Sequence, residues 1–230
     1  NVSENNFFGS GKRASFGVNT SRAVKSANIS FLDPYYTVDG VSRGFSVFAK
    51  QTDFEEEDIS SYVLDNYGAR LTFGYPVSST ARLNFGVGYS LAQVKVNDRP
   101  AIEVSNFLRQ NGDSYHSFLA TGSWVRSTLN RGVLPTAGVR QSLGLEVAVP
   151  GSDITYYRFT YDDNYYFPLN DVQTWVVRLR SNLGWGDGYG SSEVMPFFEH
   201  FFAGGFGSVR GYEANSLGPR ATPHPLDPSD

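Results

Sequence analysis

The residues of this chain that could do chemistry are three histidines and a scattered set of arginines and carboxylates. His116, His200 and His224 are far apart in the sequence and fit no metal-binding spacing such as HExxH. The acidic run Glu55–Asp58 could attract divalent cations, but it lacks EF-hand spacing and a glycine turn, which favours a solvated loop. Neither a GxSxG elbow nor a Walker loop occurs. We therefore expect no catalytic residues, no metal and no cofactor, and we interpret the histidines as ordinary polar or loop residues.

One arginine stands apart from the other charges. Arg210 lies in an apolar, glycine-rich stretch from Met195 to Arg220 that has neither a strand nor a helix period. A buried arginine needs a charged partner, so we expect Arg210 to be paired. The glycines that let this stretch adopt positive φ or approach other groups closely are Gly204, Gly205, Gly207 and Gly211.

The composition limits the class of protein that can position these charges. The chain has 230 residues, a net charge of −4, no cysteine, and is 40% apolar and 15% aromatic. These values exclude a disordered acidic chain, a disulfide scaffold and a cysteine-based zinc site. The absence of a basic tract argues against nucleic acid as a partner. No run reaches the ~20 apolar residues of a membrane helix, and the abundant Tyr, Phe and Gly favour strands and tight turns.

The strongest pattern is an alternation of apolar and polar residues with period two, which is typical of β-strands. In Arg82–Leu91 the apolar side chains fall on one face, and arginine, asparagine, glycine and serine fall on the other. The pattern predicts about nine strands, each near the length that crosses a bilayer, and no helix of comparable length. The predicted strands are Arg13–Asn19, Ala27–Leu32, Val41–Lys50, Ala69–Val77, Arg82–Leu91, Ser117–Leu129, Arg140–Val149, Tyr157–Asp162 and Trp175–Trp185.

The two strand faces distinguish a membrane barrel from a soluble sandwich whose aromatics form the core. The polar face holds Gly, Ser, Asn and Arg with little Lys, and the apolar face is aromatic at strand ends, like a membrane-interface girdle. We therefore predict an all-β fold, a transmembrane antiparallel β-barrel. The aromatics expected at the membrane interface are Tyr75, Tyr89, Trp175 and Trp185.

The charged residues of the polar face are then expected to line a hydrated lumen, because a lipid-facing arginine near the midplane costs roughly 2–4 kcal/mol. The predicted lumen-facing charges are Arg70, Arg82, Arg140, Glu146, Arg158, Asp162, Arg178 and Arg180. They could select ions, as in a porin. The interpretation we favour is that they pair with each other and with the glycine-rich stretch.

Short and long connections alternate, which is the asymmetry of outer-membrane barrels. The predicted short turns are Asp33–Gly40, Pro76–Thr80, Asn130–Gly138 and Pro168–Val172, and the long loops are Gln51–Asn66, Val94–Tyr115 and the chain after Gly186. Two short connections, Ser21–Lys25 and Pro150–Asp153, are exceptions on the long side. An odd number of strands would leave the chain ends on opposite faces of the membrane, and an open sheet would expose unpaired edges to lipid. We therefore expect the chain to be part of a longer barrel.

The stretch after the last predicted strand closely resembles the sixth extracellular loop of the BamA family of outer-membrane barrel assembly proteins. Val209-Arg210-Gly211-Tyr212 matches the VRG(F/Y) signature of that family. Other segments that resemble the family are Asp33–Gly44, Arg131–Arg140, Val149–Asp153 and Trp185–Gly190, and the resemblance extends essentially from Asn1 to Arg220.

The resemblance implies a barrel of about sixteen strands preceded by periplasmic POTRA domains. Residues 1–189 would be a partial barrel, the third to eleventh strands, and residues 190–230 the start of loop six. It implies a non-enzymatic insertase of the bacterial outer membrane that works through a seam between first and last strands, outside this sequence. The implied partners are outer-membrane lipid and lipopolysaccharide, BAM lipoproteins, unfolded outer-membrane proteins and periplasmic chaperones.

Other functions stay open at this point. A two-partner secretion pore or a TamA-like assembly factor would share the same kind of barrel, and the POTRA modules would distinguish them. A passive porin would show a large, steady conductance. A membrane-embedded hydrolase would react with an active-site-directed serine probe.

The resemblance also implies a role for Arg210. In the family, loop six folds back into the lumen and its arginine pairs with acidic residues on later strands, which here would lie beyond Asp230. We predict that Arg210→Ala weakens barrel assembly by the full protein, because charge-assisted hydrogen bonds that pin the loop are lost. Unchanged levels of outer-membrane barrels together with unchanged protease resistance of the loop would contradict this.

Overall fold

The computed structural model describes residues 1–54, 62–96, 100–190, 192, 194–213, 215–219 and 222. Its main element is one antiparallel sheet of ten strands in chain order, each paired with the next. The strands are β1 (Val2–Glu4), β2 (Arg13–Thr20), β3 (Val24–Asp33), β4 (Ser42–Asp53), β5 (Tyr62–Pro76), β6 (Ala81–Val96), β7 (Ser114–Ser127), β8 (Gly138–Ala148), β9 (Tyr156–Pro168) and β10 (Val176–Gly188). The helical elements are α1 (Ile102–Asn111) and two single 3₁₀ turns, Phe7–Gly9 and Phe197–Glu199.

The predicted all-β antiparallel fold is confirmed, and the nine predicted strands are β2 to β10. The strand count was one too low, because β1 has only three residues and shows no visible period. Several strands are also longer than predicted. Residues Tyr62 to Asn66 belong to β5 and not to a loop, since Tyr62 and Leu64 on its inner face are apolar and buried. Because the inner face of this part of β5 is apolar, apolar and polar residues do not alternate there, and the sequence does not indicate a strand.

The expectation that Val94–Tyr115 is only a loop was wrong. It contains α1, whose ten residues span fewer than three turns, too short for a clear helical period. The helix ends at Gly112, which has a positive φ of 82° and whose N–H donates to the carbonyl of Leu108 at 2.8 Å. Across the described part of the chain, helices are too short or too polar to traverse a bilayer.

The apolar face of the sheet points outward. On β6, Phe85 and Val87 are 57% and 58% exposed, whereas Gly86 and Ser90 on the other face are buried. The register extends this face across strands, so that Ile29, Val47, Ala69 and Tyr89 lie side by side. The row continues in both directions, as Phe16, Ile29, Val47, Ala69, Tyr89 and Phe118. An exposed apolar face is what a lipid-facing barrel wall requires.

The connections divide between the two ends of the sheet, because the strands alternate in direction. The end that holds the connections after β2, β4, β6, β8 and β10 is called the loop end below. The opposite end, with the short connections after β3, β5, β7 and β9, is called the turn end. The last strand, β10, therefore delivers the glycine-rich stretch to the loop end.

Two nearby residues on β6 test which face meets lipid. Val87→Arg, on the outer face, should destabilise the barrel in lipid vesicles by about 2–4 kcal/mol, because it places a charge against hydrocarbon. Asn84→Arg, on the inner face beside a polar cavity, is the matched control and should cost less than about 1 kcal/mol. Urea unfolding measures both, and equal costs would contradict the assignment of the faces.

Candidate functional site: the lumenal anchor of loop six

The eight charges predicted to face the lumen all lie on the inner face, opposite the exposed apolar residues. This placement follows from the alternation within each strand and from the pairing of neighbours such as Glu146 with Arg158. Several form local contacts on the wall. Arg82 donates to Ser42 Oγ at 3.1 Å, and Arg178 donates to Asn164. Asp162 accepts a hydrogen bond from Asn182, and Arg140 has no ion pair among the described residues.

Three of the inner charges and Glu199 form a connected network that reaches the glycine-rich stretch. Arg158 lies between two carboxylates, with Nη2 3.3 Å from Glu146 Oε1 and Nη1 2.6 Å from Glu199 Oε2. Arg70 on β5 approaches the other oxygen of Glu146 at 3.5 Å. Glu199 follows β10 in sequence and lies in the 3₁₀ turn, so the network ties this segment to β8 and β9. Arg70, Glu146, Arg158 and Glu199 are called the loop-six anchor below.

The anchor borders a polar cavity of about 390 Å³ on the inner face. Its lining includes hydroxyl and amide groups of β5, β6, β7 and β9, such as Thr72, Asn84, Ser123 and Thr160. These groups can hydrogen-bond water, and they make this part of the lumen a hydrated compartment.

Glycines on β10 make room for the folded-back segment. A Cβ at Gly184 would lie 2.7 Å from the ring of Phe201, and one at Gly186 would lie 2.8 Å from Met195 Sδ. A Cβ at Gly188 would lie 2.6 Å from the backbone of Ser192. The sequence WGDGYG therefore lets the chain lie against its own strand, which a larger residue would prevent.

Aromatic rings cluster on the inner side of the sheet at the loop end. Phe197 meets Tyr62 edge-on at 4.9 Å between ring centroids and Phe107 of α1 at 5.2 Å, and Phe198 lies 5.6 Å from Tyr115. Tyr62 and Tyr115 are buried at 3% and 1% exposure. These five residues are called the aromatic cap. The cap joins strands β5 and β7, helix α1 and the segment after β10 in one apolar cluster.

The aromatic cap changes the electrostatics of the anchor. Burial raises the pKa of Glu199 to about 7, although the neighbouring Arg158 guanidinium acts in the opposite direction. Burial also lowers the pKa of the adjacent His200. The carboxyl group of Glu199 therefore changes charge near neutral pH, where an exposed glutamate would be fully ionised.

The predicted signature residues form the tip of a hairpin. Ala203 and Leu217 pair through two backbone hydrogen bonds of 2.7 and 2.8 Å. Between them Gly204, Gly205 and Gly211 adopt positive φ values of 121°, 82° and 91°. The tip contains the predicted motif and glycines, Val209, Arg210, Gly211, Tyr212, Gly204, Gly205 and Gly207. Its conformation depends on left-handed backbone that glycine adopts at low cost.

Arg210 is exposed and lies next to an aromatic ring of the same hairpin. Its guanidinium lies over the ring of Phe206 at 4.3 Å, and it forms no ion pair with any residue that the structure describes. The wall holds the tip through Arg180, which donates to the carbonyl of Gly207 at 3.0 Å. Pairing of Arg210 with residues beyond Asp230 stays a prediction.

The remaining predicted residues are placed as follows. The predicted interface aromatics are all exposed on the outer face: Tyr75, Tyr89, Trp175 and Trp185. Tyr75 and Trp175 lie at the turn end. His116 Nδ1 lies 2.6 Å from the hydroxyl of Tyr89. The acidic run Glu55–Asp58, His224 and the tail Pro223–Asp230 lie outside the described residues.

Glu199 and its aromatic neighbours were not predicted from the sequence. A signal was present, because Glu199 is the one carboxylate in the apolar run MPFFEHFF. The argument applied to Arg210, that a charge among apolar residues needs a partner, applies equally to Glu199. Its partner Arg158 was identified as lumenal, but the pair is 41 positions apart and no local spacing connects them.

The fold and site define a class of protein: a transmembrane β-barrel wall whose lumen holds a folded-back loop. The Omp85 superfamily domain matches residues 6–229, and the chain belongs to the Omp85 superfamily.

Three comparisons with known proteins agree with this membership. The outer membrane protein assembly factor BamA of Neisseria meningitidis serogroup B is 34% identical over 229 residues, which are 95% of this chain and 28% of that protein. BamA of Nitratidesulfovibrio vulgaris is 24% identical over 221 residues, 95% of this chain and 26% of that protein. The crystal structure of BamA from Haemophilus ducreyi lacking POTRA domains 1–3 matches with a TM-score of 0.84 and 28% identity, over 95% of this chain and 43% of that one.

These matches confirm the resemblance to the BamA family, the transmembrane β-barrel and the location in the outer membrane. The chain spans less than a third of the length of the two relatives compared by sequence.

The raised pKa of Glu199 predicts how loop six responds to pH. Docking of the loop favours the protonated carboxyl group, so docking should be strongest below about pH 4.5 and weaken as pH rises through about 7. Glu199→Gln should remove this dependence, because the amide does not titrate. Hydrogen exchange of residues 197–203 between pH 5 and 8, corrected for intrinsic rates, measures it. An equal pH dependence in the variant would contradict the prediction.

Proposed function

We propose that the full-length protein folds and inserts β-barrel proteins into the bacterial outer membrane. The observation that carries this proposal is the match to BamA over 95% of the chain, at 34% identity and, for a second BamA, a TM-score of 0.84. We also propose that it works without catalytic chemistry, because adding a strand to a barrel forms hydrogen bonds and no covalent bond.

In this proposal the chain supplies most of one wall of the barrel and the root of loop six. Unpaired backbone groups in lipid cost several kcal/mol each, so an opened seam in the barrel would pair readily with an incoming strand. The seam strands lie outside this chain. The loop-six anchor joins β5, β8 and β9 to the segment that follows β10, and in this proposal it contains no seam strand. Opening at the seam would therefore leave the anchor intact.

The proposed partners follow from this activity. Unfolded outer-membrane proteins would be the substrates, delivered by periplasmic chaperones, and BAM lipoproteins would associate with the full protein. Outer-membrane lipid and lipopolysaccharide would surround the exposed apolar face. Nucleic acid is not among the proposed partners.

The aromatic cap disfavours a passive porin. A porin keeps a continuous water path, but here Phe197 and Phe198 pack against Tyr62, Phe107 and Tyr115 across the loop end. A secretion pore or a TamA-like factor would use the same wall, and it is the main alternative within the superfamily. Conductance of the full protein in planar bilayers should be small and intermittent, and a large steady conductance would favour the porin.

Depletion and complementation in the native host test the assembly function. Depletion of the full-length protein should lower the amount of folded outer-membrane barrels, and the wild-type gene should restore it. Arg158→Ala should restore about twofold less, because it leaves Glu199 without its cation in a partly buried site and leaves Glu146 with Arg70 alone. The readout is heat-modifiable migration of barrel proteins in outer-membrane fractions.

The matched control is Arg131→Ala, which removes an exposed arginine at the turn end and should restore fully. Normal levels of folded barrels after depletion would overturn the proposed function. Equal restoration by both variants would overturn only the role of the anchor.

A further inference from the structure

A cationic site lies on the outer face at the loop end of β3. Lys25 is exposed, shares its face with Ala27 and Ile29, and lies opposite Gln51 of β4. It forms no ion pair or side-chain hydrogen bond with the described residues. Arg22, three positions earlier in the connection between β2 and β3, is also exposed. In the proposed function the loop end faces the cell exterior, and this inference rests on that orientation.

A groove of about 450 Å³ lies next to Lys25 on the outer face and extends across the strands from β2 to β6. Its centre is formed by the small side chains of Ala27, Ala49 and Ala69, where neighbouring positions of the outer face carry large ones. The larger apolar residues that border the groove are Phe16, Ile29, Val47, Tyr67, Tyr89 and Leu91. Lys25 and Ala27 are two residues apart on one face, which corresponds to roughly 7 Å.

The neighbouring charges leave Lys25 as the available cation. Asp65 on β5 accepts hydrogen bonds from Lys95 at 2.6 Å and from Gln51 at 2.7 Å, and its side chain is nearly buried between them. Lys95 is thus neutralised within the protein. Among the residues that the structure describes, neither Lys25 nor Arg22 has such a partner. Together with the nearby Asp53 they leave one net positive charge at the entrance of the groove.

We propose that this groove binds a phosphorylated lipid of the outer leaflet, with an acyl chain over Ala27, Ala49 and Ala69 and a phosphate on Lys25. The groove alone would accept any apolar chain. The cation at its loop end selects an amphiphile whose phosphate and acyl chain are joined, with the phosphate at the membrane surface. The side chain of Lys25 can extend along the barrel wall and keep its ammonium group at the membrane–water interface.

Native mass spectrometry of the full-length protein in detergent tests the site. The probes are bis-phosphorylated lipid A and the same lipid after enzymatic removal of its phosphates. Wild-type protein should bind the phosphorylated form more tightly. Lys25→Ala should reduce that affinity by about fivefold and leave the dephosphorylated form unchanged. Ala49→Phe fills the groove and should reduce binding of both forms.

Two matched controls separate the site from general contact with lipid. Ala120→Phe alters an outward-facing alanine of β7 outside the groove, and Arg131→Ala removes an exposed cation at the turn end. Both should bind lipid A like the wild type. Heat-modifiable migration verifies folding, and Ala69→Leu replaces Ala49→Phe if the latter does not fold.

Equal binding of the two lipid forms by the wild type would overturn the proposal. The proposal would also be overturned if Lys25→Ala bound phosphorylated lipid A with wild-type affinity, or if Ala49→Phe and Ala120→Phe lost the same amount of lipid affinity. The experiment measures lipid binding alone, so a negative result leaves the proposed assembly function standing. Failure of the depletion experiment would in turn leave a measured lipid site in place.

Discussion

The position of loop six depends on the bridge that Arg158 makes between Glu146 and Glu199. In a fully hydrated lumen such pairs contribute little, because water screens both charges and the long side chains lose freedom. Here the rings of the aromatic cap lie beside Glu199 and leave its side chain only 19% exposed. Pairing is stronger in that environment, and loss of one partner is more costly. The rings of the cap thus stabilise the docked loop, whereas the ion pair with Arg158 offsets part of the cost of burying Glu199 and defines where the loop docks.

The wall meets three environments, and the residues of each strand change accordingly. The outer face stays apolar because it meets lipid. The inner face is polar around the cavity beside Arg70 and Glu146, where the lumen is wet, and apolar at the loop end, where Tyr62 and Leu64 of β5 lie under the cap. A strand such as β5 therefore alternates strictly along only part of its length. Glycines of β10 allow the loop to pack directly against the backbone of that strand.

This division explains what the sequence could predict. The strands and their faces were predictable wherever lipid and water lie on opposite sides of the sheet, because apolar and polar residues then alternate along the strand. The loop-end half of β5 was not, since Leu64 is apolar on a dry inner face. Helix α1 was missed because it is short and packs through a few side chains such as Phe107. The pairing of Glu199 with Arg158 joins distant segments, so only the unmatched charge was visible in the sequence.

Loop six is held in two parts that differ in kind. Its root, from Met195 to Phe201, is fixed to the wall by an ion pair, by rings and by close contact with glycines. Its tip is a closed hairpin whose backbone bonds are internal, and among the described residues its wall contact is the bond from Arg180 to the Gly207 carbonyl. A hairpin of this kind can change partners without unfolding, because its own hydrogen bonds move with it. The root would then hold the loop in the lumen while Arg210, stacked on Phe206 and without an ion pair in the described chain, stays available to carboxylates of other strands.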